Sequence, residues 1–351
     1  MKSRPSVLIT GCTAAQVGRT KPGGIANVCT FPHILVEALL RAGYEVENRI
    51  VCPGESLARY DFVVVFMTSL NKLGTTYAYG ALWALHNRRD AIISFDDWQI
   101  PQTIKSFEIA LGDKFTYYNW DNIVSTSRKY RGIAYERRKQ IDGVVKYLSK
   151  CIKNNKGWRY RSIVPAFTWG DDKLFGIPMG TEARPFKITR IDPSALVTVP
   201  KDSLKRISDN KRSKVWVLAS LANYSKWVEQ QDFNWPVEQF GHLKSGHAKL
   251  PESEIIQMYC YKWGVIAPKY AVSGSGWWRN RVNYAAMTGC ILYVDPVEQR
   301  SMPEAYHLTQ RMVEGLSTKQ LTELANSQRN AYVRNTWSKE QLLDELSGIF
   351  K

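Results

Sequence analysis

Two adjacent aspartates, Asp96 and Asp97, follow the apolar run Ala91–Phe95. If that run is a parallel strand, the pair stands at its carboxyl end, where open α/β sheets bind ligands. A carboxylate there can serve as general base toward a hydroxyl. The competing use is an N-cap for the next helix, which one of the two takes. A second constellation is Ser273-Gly-Ser-Gly-Trp-Trp-Arg279-Asn-Arg281-Val-Asn-Tyr284. A Gly/Ser loop opening a helix presents free N–H groups to an anion. Arg279 and Arg281 lie in the first turns, and Arg281 and Tyr284, three apart, are expected on one face. An arginine fork beside such N–H groups suits a diphosphate; the plainer reading is a solvated basic helix start. Near the N-terminus, Pro22-Gly23-Gly24 precedes a helix and lets backbone approach a phosphate or sugar, or is an ordinary loop.

Other chemistries find less support. Thr10-Gly-Cys-Thr-Ala-Ala15 lacks the later glycines of a dinucleotide fingerprint, and the strand Val46–Val51 ends without an acidic residue for a ribose. Asp171-Asp172 lies in a connector and reads as surface. No D-x-D motif is present, which counts against single-domain, metal-dependent transferases, although a divalent ion stays compatible. His242 and His247 do not make a zinc cluster. The six cysteines form no C-x-x-C pair and read as reduced structural thiols.

The formal net charge of +16 implies a polyanionic partner. It is concentrated between Arg128 and Arg161, where Arg128, Lys129, Arg131, Arg137, Arg138 and Lys139 lead a basic run opposed only by Glu136 and Asp142. Tyr130, Tyr135, Tyr147, Trp158 and Tyr160 interleave it. Cations with stacking rings suit a nucleic-acid backbone, and a solvated helix is the alternative.

The elements that must position these groups follow from periodicity. Val7–Thr10, Val46–Val51, Phe62–Met67 and Ala91–Phe95 read as strands, with helices around Ile34–Leu39 and Tyr77–His86. The continuous β-branched runs predict parallel strands buried on both faces. After a Pro-spaced connector, the rhythm returns with strands Val215–Leu218, Val237–Phe240, Gly264–Ala267 and Ile291–Val294, and a helix over Trp277–Thr288. Thr318–Ala325 and Lys339–Ile349 read as helices. At 351 residues with 44% hydrophobic content, the chain fits two domains. Their boundary is expected near Pro185–Pro200. No apolar run approaches a membrane span, and Met1–Pro5 leads straight into a strand, which reads as no signal peptide.

In the order of its elements, the chain resembles the phage DNA glucosyltransferases, especially the inverting β-glucosyltransferase type. The resemblance runs weakly over nearly the whole chain and is sharpest in three segments. Ile93-Ser-Phe-Asp-Asp97-Trp-Gln-Ile-Pro101 resembles the family's strand–Asp–x–x–x–Pro segment. Val217-Leu-Ala-Ser220 with Lys226, and Glu238-Gln-Phe240-Gly241-His242, resemble the turns that hold the donor uracil and phosphates. Arg281 through Asp295 resembles the helix–strand unit that grips the diphosphate and ribose. Two departures stand out: Tyr284 sits where the family has a ribose-binding glutamate, and Ala222 or Asn223 where it has a donor arginine.

The resemblance implies the GT-B architecture: two Rossmann-like α/β domains whose parallel sheets face a central cleft. Residues 1–185, joined by a C-terminal helix at 336–351, would bind DNA; residues 190–335 would bind the nucleotide sugar. The implied reaction moves a sugar from a UDP-sugar, used as a substrate with no tightly bound cofactor. The acceptor is a hydroxylated or hydroxymethylated pyrimidine in double-stranded DNA, and the mechanism is inverting. Asp97 would be the base. Gly23, Gly24, Ser220, Lys226, Phe240, Gly241, His242, Arg279, Arg281 and Tyr284 would hold the donor. A monomer in the cytoplasm, the host's if phage-encoded, with no membrane partner completes the expectation. Two other readings stay open: a GT-B transferase acting on a polysaccharide, lipid or small metabolite, and a non-catalytic DNA-binding protein on a nucleotide-binding fold.

Overall fold

The computed structural model describes residues 4–11, 31–67, 70–95, 136–154, 156–165, 188–191, 209–219, 236–240, 252–267, 279–300, 302–336 and 338–351. They fall into two compact units: residues up to Ile191 together with 338–351 in the first, and Asp209 to Thr336 in the second.

The first unit is built on six parallel strands: β1 (Ser6–Thr10), β2 (Glu45–Asn48), β3 (Phe62–Met67), β4 (Ile92–Phe95), β5 (Arg161–Pro165) and β6 (Ile188–Ile191). Their order is β2-β1-β3-β4-β5-β6. Val64, Val65 and Phe66 on β3 are buried, as are Ile92 and Ile93 on β4, which is the burial expected of inner parallel strands. β2 is an edge, and its glutamates keep it polar. Glu47 pairs with Arg49 at 2.8 Å and Arg59 at 2.9 Å and accepts from the Tyr60 hydroxyl. β5 and β6 extend the sheet to Ile191.

Around this sheet lie α1 (Phe31–Arg41), α2 (Leu70–Asn87) and α3 (Arg138–Asn154). α1 buries Leu35, Val36, Ala38 and Leu39 and stops at Gly43, whose φ of 90° lets the chain turn back on the last carbonyls. Arg88, just beyond α2, donates to the carbonyls of Leu57, Tyr60 and Asp61 and forks onto Asp90, fixing the entry into β3. The chain's last helix, Lys339–Ile349, also belongs to this unit; a Ser338–Gln341 capping box opens it. Beyond it, Phe350 meets the rings of Tyr44 and Phe62 at 5.6 and 5.3 Å.

The second unit has four parallel strands, β7 (Trp216–Ala219), β8 (Val237–Phe240), β9 (Gly264–Ala267) and β10 (Ile291–Val294), ordered β10-β9-β7-β8. Gly264 is required there: a Cβ would stand 2.0 Å from the Trp216 indole. The core gathers Trp216, Leu218, Trp263, Ile266, Ile291, Tyr293, Leu308 and Leu321. Three helices support it: α4 (Glu252–Tyr261), α5 (Arg279–Thr288) and α6 (Thr318–Arg334); the C-terminal helix is therefore α7. α6 opens with a Ser317–Gln320 capping box and runs well beyond the expected Ala325. Its buried Gln328 covers the edge of β10, accepting from the Leu292 N–H (2.8 Å) and donating to the Leu292 carbonyl (3.0 Å). That side chain replaces the missing strand neighbour. No helix among the described residues is long and apolar enough to cross a membrane.

Candidate functional site

Each sheet reverses its strand order once. In the first unit the reversal falls between β1 and β3, in the second between β7 and β9. Ligands of open α/β sheets bind outside the carboxyl ends of the strands at such points, so topology alone nominates one edge of each sheet.

In the second unit that edge carries Ala219, Phe240 and Ala267, the last residues of β7, β8 and β9. Phe240 pairs in register with Ala219 and is half-buried. α5 feeds β10 through the short turn Gly289–Cys290, with Gly289 at φ 68°. Its C-terminus therefore lies at the amino end of β10, and its first turn points toward the carboxyl edge. Arg279 opens α5, and Arg281, half-buried, follows in the same turn. The sequence thus places an arginine-bearing helix start where an anion would sit.

The rest of α5 is locked. Val282 is buried, the Asn283 side-chain amide oxygen accepts from the Tyr332 hydroxyl at 3.0 Å, and the Thr288 hydroxyl donates to the Tyr284 backbone carbonyl at 2.7 Å. The Tyr284 ring is 6% exposed and packs edge-on to Tyr259 at 5.9 Å. At the far end, the Arg212 guanidinium donates to the carbonyls of Thr288 and Gly289, closing off the helix C-terminus. Arg212 gave no signal in the sequence, because nothing about an isolated Lys211-Arg212 pair tells a buried cation from a solvated one.

In the first unit, the edge holds Thr10, Met67 and Phe95 at the ends of β1, β3 and β4. Gly11 turns away from β1 with φ 85°, so close to β3 that a Cβ would meet the Phe66 carbonyl oxygen at 2.2 Å. Two hydroxyls at this end, on Thr10 and Ser94, are buried without a hydrogen-bond partner among the described residues. Sequence reasoning passed over both, although a polar residue ending an apolar strand is the signal that could have marked them.

Of the other nominated residues, Gly23, Gly24, Asp97, Arg128, Lys129, Arg131, Ser220, Lys226, Gly241 and His242 lie outside the described residues, as does Asp96. The basic trio at the start of α3 separates. The Arg137 guanidinium lies 5.8 Å from the Trp83 ring centroid, and Arg138 pairs with Asp142 at 3.5 Å. Lys139 is exposed. Among the described residues no cluster of His, Cys, Asp or Glu could hold a metal ion.

No protein-family model matches the chain, and no curated protein sequence is similar to it. Solved structures are similar in fold. T4 phage BGT in complex with its UDP-glucose substrate aligns with a TM-score of 0.53 at 9% identity, over 99% of this chain and 100% of the phage protein. T4 phage BGT in complex with UDP and Mn2+ gives the same values. The glycosyltransferase SnogD from Streptomyces nogalater aligns over 100% of both chains at 14% identity, with a TM-score of 0.42. With two parallel sheets in separate units, the chain has the fold of T4 phage BGT, an α/β fold of two Rossmann-like units known as GT-B.

Proposed function

We propose that this chain is a glycosyltransferase that moves a sugar from a UDP-sugar to a hydroxylated or hydroxymethylated pyrimidine of double-stranded DNA. The second unit holds the donor. Arg279, Arg281 and the N–H groups of the first turn of α5 take the diphosphate, while Ser220, Lys226, Phe240, Gly241 and His242 surround the nucleotide, and the buried Tyr284 packs behind them on Tyr259. The first unit takes the acceptor. Asp97 removes the proton of the acceptor hydroxyl. The oxygen attacks the anomeric carbon, the bond from that carbon to the diphosphate oxygen breaks, and UDP leaves with the electron pair. One displacement inverts the anomeric centre. A base within a duplex must be flipped out to react. The chain acts as a monomer in the cytoplasm.

One observation supports this reading above the rest. A chain with the fold of a protein solved with UDP-glucose directs an arginine-bearing helix start to the carboxyl edge of its second sheet. The charge of +16 favours a polyanionic acceptor over a neutral metabolite. The decisive test incubates the protein with individual UDP-sugars and hydroxymethylated or hydroxylated duplex DNA, then weighs the released nucleosides. A modified nucleoside heavier by one hexose or pentose residue is expected. Transfer to polysaccharide or metabolite acceptors alone would replace the DNA acceptor, and DNA binding without transfer from any donor would replace the enzyme.

A further inference from the structure

The basic run becomes specific once α3 is seen to be a helix. Ile141, Val144, Val145, Leu148 and Cys151 bury one side of it. At about 100° per residue, Lys139, Lys146, Lys150 and Lys153 fall within roughly 60° of one another on the opposite side, and all four are exposed. Lys139 to Lys153 is fourteen residues, or about 21 Å of helix. Among the described residues none of the four has an ion-pair partner, and the helix's single carboxylate, Asp142, is paired with Arg138. The loop after the helix adds a fifth cation. Arg159 stacks 4.5 Å from the centroid of Tyr147, a residue flanking the lysine row, and 4.8 Å from that of Tyr160. Its backbone N–H donates to the Tyr147 hydroxyl, so it is held in place before any ligand arrives.

This pattern does not serve the helix. A solvated helix gains from carboxylates in its first turn and from Glu–Lys pairs four apart. α3 has no acid in its first turn and places Lys139 there instead. Like charges at 146, 150 and 153 repel one another at spacings of four and three. A row of uncompensated cations is stabilised by a complementary row of anions, and a duplex strand presents a phosphate every 3.4 Å of axis, so 21 Å spans about six of them.

We propose that the exposed face of α3, formed by Lys139, Lys146, Lys150 and Lys153 with Arg159 at its flank, seats the phosphate backbone of duplex DNA. Arg137 and Arg138 take no part, since Trp83 and Asp142 engage them. The proposal rests on the DNA-acceptor reading above but concerns a surface whose test does not require sugar transfer. Four neutralised phosphates contribute about 3.6 to the log–log dependence of affinity on salt, roughly a hundredfold loss between 50 and 200 mM.

The test measures duplex binding by fluorescence anisotropy across salt for the full chain. It compares wild type, the quadruple variant Lys139→Gln, Lys146→Gln, Lys150→Gln, Lys153→Gln, and the double variant Arg137→Gln, Arg138→Gln. Glutamine is a good helix former, and an unchanged circular dichroism melt checks folding. The quadruple variant should lose about three to four from the slope and the double variant less than one, with UDP-sugar binding equal in all three. An unchanged slope in the quadruple variant, or a larger drop in the double variant, overturns the assignment. So does a wild type that ignores duplex DNA but binds phosphatidylserine vesicles. A wild type that shows the expected slope and loss yet transfers no sugar keeps the surface and removes the enzymatic reading.

Discussion

Replacing Arg212 with methionine would show how the second unit holds the helix start that faces its ligand edge. The guanidinium donates to the carbonyls of Tyr259 at 2.8 Å, Lys262 at 3.2 Å, Thr288 at 3.4 Å and Gly289 at 2.7 Å. These are terminal carbonyls of α4 and α5, the groups that helices leave without partners. The Trp263 ring lies 4.8 Å from the guanidinium carbon, and the side chain is only 5% exposed. Hydrogen bonds from a charged group contribute about 1.5–3 kcal/mol each; the two short ones dominate, and the stacked ring adds about 1 kcal/mol. Water entering the adjacent cavity, about 120 Å³ and lined in part by Asp209, Thr322 and Arg329, recovers some of this by solvating the freed carbonyls. The net loss should be about 3–5 kcal/mol. Methionine keeps the apolar stem, so lost packing is not the cause. Urea unfolding followed by tryptophan fluorescence reads the effect, because Trp216 and Trp263 are buried in this unit. Arg212→Lys retains a point charge but not the fork, and should recover less than half of the loss. A loss under about 1 kcal/mol for methionine, or complete recovery by lysine, would refute the claim that the fork satisfies these carbonyls.

Four further outcomes are expected. Asp97→Asn should cut sugar transfer by about 10²–10⁴-fold, as loss of a general base does, and leave UDP-sugar affinity intact in calorimetry; the reverse pattern at Asp96→Asn would shift the base by one residue. Arg281→Ala should weaken UDP-sugar binding by about 1.5–3 kcal/mol, and unchanged affinity would remove Arg281 from the donor site. Gly11→Ala forces a Cβ against the Phe66 carbonyl at φ 85° and should cost at least about 2 kcal/mol in thermal or urea unfolding of the first unit; a neutral effect would contradict the close β1–β3 approach. The first unit should also weaken in acid. The Arg88 fork holds the Asp90 carboxyl below its usual range, and hydrogen bonds from Ser6 do the same for Asp61. A depressed folded value means the stabilisation is complete above the ordinary aspartate range and is lost as pH falls through the lower folded value, so unfolding midpoints should drop below about pH 4, and less steeply in Asp90→Asn.

The sequence was legible where one physical requirement dominated. Phe62–Met67, Gly264–Ala267 and Ile291–Val294 are apolar because both of their faces are covered, and they appear as strands within a residue of the expected limits. β5 and β6 were not foreseen. Arg161 and Ser162 break the apolar run of β5, and Arg190 breaks that of β6. Their pairing comes from neighbours distant in the chain. The β2 edge ends at Asn48, short of the expected Val51, although the Arg49 N–H still donates to the Ile9 carbonyl of β1.

The site divides in the same way. The helix start at Arg279 was legible from its Gly/Ser loop, a local signal. Placing Arg281 and Tyr284 on one ligand-facing side assumed an amphipathic helix, whereas Val282 through Ala286 are all buried. In such a helix, spacing does not separate an inward face from an outward one, and the Tyr284 ring lies against Tyr259.

Net charge shows why residue counts need a structure before they imply a partner. The cations of this chain fall into two physical kinds. Arg49, Arg88 and Arg212 are spent on carboxylates and backbone carbonyls that would otherwise lack partners; they would be needed whatever the protein binds. Lys139, Lys146, Lys150 and Lys153 have no ion-pair partner among the described residues and stand on the face of α3 opposite its buried side. Only the second kind can report on a polyanion. In sequence, both kinds read alike. What distinguishes them is the hydrogen-bond inventory of arginine against lysine. The planar fork is suited to satisfying several fixed carbonyls at once, and the flexible ammonium to following a phosphate backbone.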